Sequence, residues 1–198
     1  MWKSFLTVLA MASALAACAG LNVIDSDVST YSQWPAGRKP GTYAFERLPS
    51  QQAHAQEQDE LEAAARPALN AAGFKETTDA KTADLTVQVG ARIARADAVV
   101  YEDPFWWRGG MYHSRFGPGG FWGPGFVTRY DSPRYNREVA LLVRDRPSNQ
   151  PLYEARASSD GATAGGGALF GAMFLAAMKD FPQNGINPRR VSVQLPGS

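Results

Sequence analysis

The 198-residue sequence predicts an α+β fold: a two-layer sandwich in which two helices pack on one face of a mostly antiparallel sheet. Three observations lead there. Short stretches alternate apolar and polar residues, the mark of half-buried strands. Two other stretches carry helix formers or an unbroken apolar run. The pieces follow the order ββα, βββ, αβ, which places both helices between runs of strands.

Leu21 to Tyr31 and Thr42 to Arg47 read as strands, separated by a Pro/Gly turn region from Trp34 to Gly41. Gln56 to Phe74 then reads as a helix, with Leu61, Ala65, Ala68, Leu69 and Ala72 on one face. Gly73 suits the position just past its end, and Phe74 could reach back to Leu69. Pro67 removes one backbone bond, so a kink or restart is expected near it.

Asp84 to Ile93 alternates cleanly, with Leu85, Val87, Val89, Ala91 and Ile93 on one side. Tyr135 to Asp145 and Pro151 to Ser158 form a hairpin-like pair around Arg146 to Gln150. Ala164 to Met178 carries no charge. It is too short and glycine-laden for a membrane span, which needs about 20 residues, and reads instead as a second helix buried on the sheet. Val191, Val193 and Leu195 alternate in a last strand.

The N-terminus points to a compartment. Lys3 precedes an uncharged, mostly apolar run from Phe5 to Leu15, which ends in small residues. Residues 1–17 therefore read as a signal peptide. Leu15-Ala16-Ala17-Cys18 resembles the bacterial lipoprotein box. The resemblance implies that Cys18, the single Cys of the chain, is acylated, palmitate included, and becomes the first mature residue. Residues 18–22 would then be a tether and 23–198 one domain. Several acyl chains anchor stably, at about 0.8 kcal/mol per buried methylene. Ala19 follows where an Asp commonly retains Gram-negative lipoproteins at the inner membrane, so the resemblance implies the outer membrane.

Loss of residues 1–17 removes Lys3 and leaves 19 basic and 19 acidic side chains. That neutrality argues against a nucleic-acid partner. The charge is uneven, with 6 basic and 10 acidic residues over 18–91 but 10 and 7 over 92–156.

The motifs also resemble, in order, the bacterial lipoproteins catalogued as domain of unknown function 4136. They are the lipobox, Thr42 to Phe45 (TYAF), the Ala-rich helix ending in AAGF and Ala83 to Val89 (ADLTVQV). A Gly/aromatic insertion, the paired segment Ala140 to Ser158 and the closing Asp180-Phe181-Pro182 complete the set. The resemblance implies the fold and the compartment, and no biochemical activity.

Metal sites need several converging ligands, and the chain has two His, His54 and His113. His54 reads as a solvated side chain. His113 lies beside Ser114, yet no motif positions such a pair as nucleophile and base. Gly161 to Phe170 invites a phosphate-loop reading but lacks the Lys-Ser/Thr of a Walker loop. Its glycines read as easing the turn into the helix. The acidic cluster Glu57, Asp59, Glu60 and Glu62 is expected to face water near a helix N-terminus. No catalytic residue, metal or cofactor is expected.

Residues 101–130 hold 10 of the 22 aromatic residues, with 7 Gly and 3 Pro, as an insertion at a hairpin tip. Two readings stay open. The rings pack on themselves or on the sheet, or they form a contact surface. In the second case Trp106, Trp107, Arg108, Arg115, Phe121 and Trp122 would meet an envelope protein, glycan or lipid. The expectation is a non-enzymatic, outer-membrane-anchored lipoprotein facing the periplasm, serving interaction or assembly. The alternative is a glycan- or lipid-binding module using the same loop.

Overall fold

A computed structural model describes residues 23–96 and 134–195. Its elements are β1 (Val23–Ser32), β2 (Thr42–Phe45), α1 (Pro49–Gln52), α2 (Ala55–Ala71), β3 (Lys75–Glu76) and β4 (Leu85–Ala96). They continue with β5 (Arg134–Asp145), β6 (Pro151–Gly161), α3 (Gly167–Ala177) and β7 (Arg189–Gln194). The fold is α+β. One sheet of seven strands runs in the order β3-β2-β4-β5-β6-β1-β7. β2 lies parallel to both β3 and β4, and every other pairing is antiparallel.

The alternation seen in the sequence becomes burial. Leu85, Val87 and Val89 of β4, Val139, Leu141 and Val143 of β5, and Ile24 and Val28 of β1 are buried. They join Leu61, Ala65, Ala68 and Leu69 of α2 and Met173, Phe174 and Ala177 of α3 in one core. Burying a Leu or Phe side chain contributes about 1.5–3 kcal/mol. α3 packs on β1, β5, β6 and β7, and also on α2. A Cβ at Gly171 would stand 3.4 Å from the Ala64 carbonyl, so the two helices meet at backbone distance.

α2 ends as the sequence predicts. Gly73 takes φ +92°, its N–H donates to Asn70, and the Phe74 N–H donates to the Leu69 carbonyl at 3.1 Å. At Pro67 the restart is absent, since one helix runs from Ala55 to Ala71 through it. Pro67 and Ala63, whose carbonyl loses its helical partner, are both exposed, which leaves that carbonyl open to solvent. The water-facing acidic cluster needs a second correction. Glu62 is 3% exposed and takes two bonds from Arg47, at 2.7 and 2.6 Å. Two elements escaped the periodicity, α1 and β3, because four and two residues are too short to show one.

Six aromatic residues fill one end of the core. Phe181 packs on Trp34, Phe74 and Tyr153, and Tyr43 packs edge-on to Phe45 and Phe74. Tyr153 pairs with Val143, so this cluster lies at the far end of β5 from Arg134. Beyond its pairing with β7, β1 continues against a side chain. The Asn187 amide accepts from the Thr30 N–H at 2.8 Å and donates to the Thr30 carbonyl at 2.7 Å.

Candidate functional site at the root of segment 97–133

β4 and β5 pair over twelve residues each, from Leu85↔Asp145 to Ala96↔Arg134. Segment 97–133 leaves at Ala96 and returns at Arg134, so its two ends are held about 5 Å apart, the spacing of paired Cα atoms. β2 pairs with β4 only as far as Val87. Further along, the Val89 carbonyl accepts from Gln51 at 2.8 Å and from Gln58 at 3.3 Å. Ala91 to Arg95 are all exposed, although Ala91 and Ile93 continue the alternation of the buried Leu85, Val87 and Val89. Ile93 is 47% exposed. The end of β4 thus runs past the packed core, while β5 stays flanked by β6 as far as Tyr135↔Gly161.

Beside this ribbon lies a groove of about 550 Å³. Leu61, Ala91, Ile93 and Phe170 give it apolar walls, and Gln51, His54, Glu57 and Glu60 give it a polar rim. α1 and α2 supply one wall, β4 another and the start of α3 the third. His54 stands just before α2, exposed, with Nδ1 3.0 Å from the Ser50 carbonyl.

A buried charge sits close by. Arg137 is 4% exposed and stands at a position where Val139, Leu141 and Val143 continue the buried row of β5. Its Nη1 donates to the Thr163 carbonyl at 3.3 Å and its Nη2 to the Ser159 hydroxyl at 3.4 Å. Its Nε has no partner among the described residues. Burial pulls the guanidinium pKa down, and the Asp160 carboxylate opposes that. Among the described residues no three His, Cys, Asp or Glu converge as metal ligands. No helix there is long and apolar enough to cross a membrane.

A family model described as Domain of unknown function (DUF4136) matches residues 27–183. The chain belongs to the DUF4136 family. The match runs from the middle of β1 past α3, and β7 lies beyond it. No curated protein matches the chain. Among solved structures, a PDZ domain protein from Parabacteroides distasonis is 13% identical with a TM-score of 0.49. That likeness covers 92% of this chain and 42% of the other, so this chain spans less than half of that protein. A PelC dodecamer from Paraburkholderia phytofirmans is 10% identical, covering 76% of this chain and 95% of that one at a TM-score of 0.43. A DUF4136 family protein from Bacteroides thetaiotaomicron is 14% identical, covering 77% and 92% at a TM-score of 0.23.

In this DUF4136 chain the site residues expected from the sequence lie outside the described residues. They are Cys18, Trp106, Trp107, Arg108, Arg115, Phe121 and Trp122, together with His113, the signal and tether segments and the 101–130 insertion. What the structure brings together is the ground beneath the insertion, namely the paired ends of β4 and β5, the groove and Arg137. The groove left no signal in the sequence, because its lining comes from residues 50 to 170 across four elements. Arg137 did leave one: a charged residue in register with Val139, Leu141 and Val143.

Proposed function

We propose that this DUF4136 chain is a lipoprotein held at the outer membrane through acylated Cys18, after removal of residues 1–17. Its domain is a two-layer sandwich, with α2 and α3 on one face of the sheet, exposed to the periplasm on the short tether 18–22. It acts as a non-enzymatic interaction or assembly module of the cell envelope. Its contact surface is the 101–130 insertion, with Trp106, Trp107, Arg108, Arg115, Phe121 and Trp122 as the meeting residues. The observation that carries the contact reading is the β4–β5 ribbon, paired as far as Ala96↔Arg134 and exposed along β4 from Ala91 to Arg95. A hairpin with one strand exposed at its end presents whatever it carries to a partner. Trp and Arg dominate interface energetics when desolvated.

A second reading is favoured by the groove of about 550 Å³ at the same end. A mostly apolar cleft with a few polar groups on its rim suits a small ligand, which makes the chain a glycan- or lipid-binding module.

One experiment separates the readings. Residues 104–126 are replaced by a short Gly/Ser linker, and folding, crosslinking to envelope proteins and Trp quenching by soluble glycan or lipid are measured. Normal folding with lost crosslinks supports the interaction module, and saturable quenching of the wild type supports the ligand binder. Loss of folding would overturn the contact reading, because the insertion would then be part of the core.

A further inference from the structure

We propose that Arg137 is the recognition group of a carboxylate-binding site, set between the split ends of β1 and β6 and the glycine-rich entry to α3. β1 and β6 pair from Asp27↔Ser158 onward. Before that point β1 stays with β7 and β6 with β5, and the sheet opens. A cavity of about 390 Å³ fills the opening, lined among others by Ile24, Arg137, Ser159, Leu169 and Leu195. Arg137 pairs with Ser159 across the sheet, and Ser26 comes next in that row. The Ser26 hydroxyl is buried and, like the Arg137 Nε, has no partner among the described residues.

A guanidinium cannot shed its proton, so burial leaves a cation that calls for an anion. None of the ion pairs among the described residues includes Arg137. Its two bonds are long, and both go to neutral acceptors.

The start of α3 adds to this. The glycine run lies on the arginine itself. A Cβ at Gly161 would stand 2.6 Å from Nη2, and one at Gly165 would stand 3.5 Å from Cδ.

The cavity rim selects the charge of the ligand. Asp25, Asp27 and Asp160 also line it, each with its own partner: Ser192 at 2.6 Å, Arg190 at 3.5 Å and Arg134 at 2.5 Å. Arg190 and Arg134 offset two of these carboxylates, and the Asp25 charge that remains repels a phosphate dianion more than a monoanion. A planar carboxylate also matches the fork of an arginine. The ligand class is therefore a monocarboxylate, either a free small acid or the acid group of a uronic sugar.

The test uses the full chain in detergent at pH 7 and constant ionic strength, with chloride, acetate, glucuronate or phosphate as the anion. Acetate is expected to raise the thermal midpoint over chloride by about 2 °C or more, and phosphate by less. In R137M the difference between acetate and chloride should vanish. In G161A, where the new methyl group displaces Nη2, it should shrink. A larger rise with glucuronate assigns the site to acidic sugars, and an equal rise assigns it to free small acids. Equal midpoints in acetate and chloride for the wild type would overturn the proposal, as would an undiminished acetate effect in R137M. If R137M does not fold, an undiminished effect in G161A overturns it. A stronger effect of phosphate than of acetate sinks the carboxylate assignment.

Discussion

Asn187 stands in for a strand residue opposite Thr30. Its side-chain amide exchanges both hydrogen bonds with the Thr30 backbone, at 2.8 and 2.7 Å, where β7 no longer reaches. Thr30 is fully buried, so both of its backbone groups depend on this one amide.

Asn187→Ala should therefore destabilise the domain by about 2–3 kcal/mol, since two buried backbone groups lose their partner at once. Urea unfolding of the variant would show a lower midpoint with an unchanged slope. A midpoint within error of the wild type would mean that another group replaces the amide.

Arg47 neutralises the buried Glu62. Arg47→Met leaves that carboxylate inside without a counter-charge, a change that costs about 3–5 kcal/mol for a fully buried pair. Arg47 is itself partly exposed, and screening reduces the expected loss to about 2–3 kcal/mol. The double variant R47M/E62L should recover much of it. Chemical denaturation of the two variants side by side checks this.

Acid should weaken the domain through two aspartates. Hydrogen bonds from the Thr42 hydroxyl and N–H hold the Asp84 carboxyl below its usual range. The Ser148 hydroxyl and then Arg38 do the same for Asp145. A lowered folded pKa contributes stability that is complete above the unfolded value of about 3.9 and is lost as pH falls through the folded value. Thermal midpoints should hold between pH 7 and 5 and drop below about pH 4. The double variant D84N/D145N should show a smaller drop over the same interval.

The anchoring reading makes its own prediction. Cys18→Ala should move the protein from the membrane pellet to the soluble fraction, because the acyl chains supply the attachment. A variant that stays equally membrane-bound would remove the lipoprotein proposal.

Much of the fold could be read where a local rule and the tertiary packing agree. Leu85, Val87 and Val89 alternate and are buried, and Leu69, Gly73 and Phe74 spell out a helix ending that the backbone then adopts. The reading failed where packing changed along an element. Ala91 and Ile93 keep the alternation of β4 and yet are exposed, because they line the open groove instead of the packed core. Glu62 read as a surface acid because Arg47, fifteen residues earlier, gives no local sign of reaching it. The candidate site was legible as a location, at the insertion between two strands, and not as a composition. Arg137 went unread. Its side chain breaks the apolar row of β5, and such a break in an inward register is a signal that can be searched for.

The ends of the sheet bear on how the domain meets other copies of itself. β3 closes one side with two residues, Lys75 and Glu76, and β7 closes the other with Arg189 and Arg190 at its start. Gln51 and Gln58 occupy the Val89 carbonyl where β4 loses β2. Short, charged or capped borders give a neighbouring copy little to template on. An edge that stays open among the described residues is β4 beyond Val89, where Ala91 to Arg95 are exposed, and that is a place for another chain to add a strand.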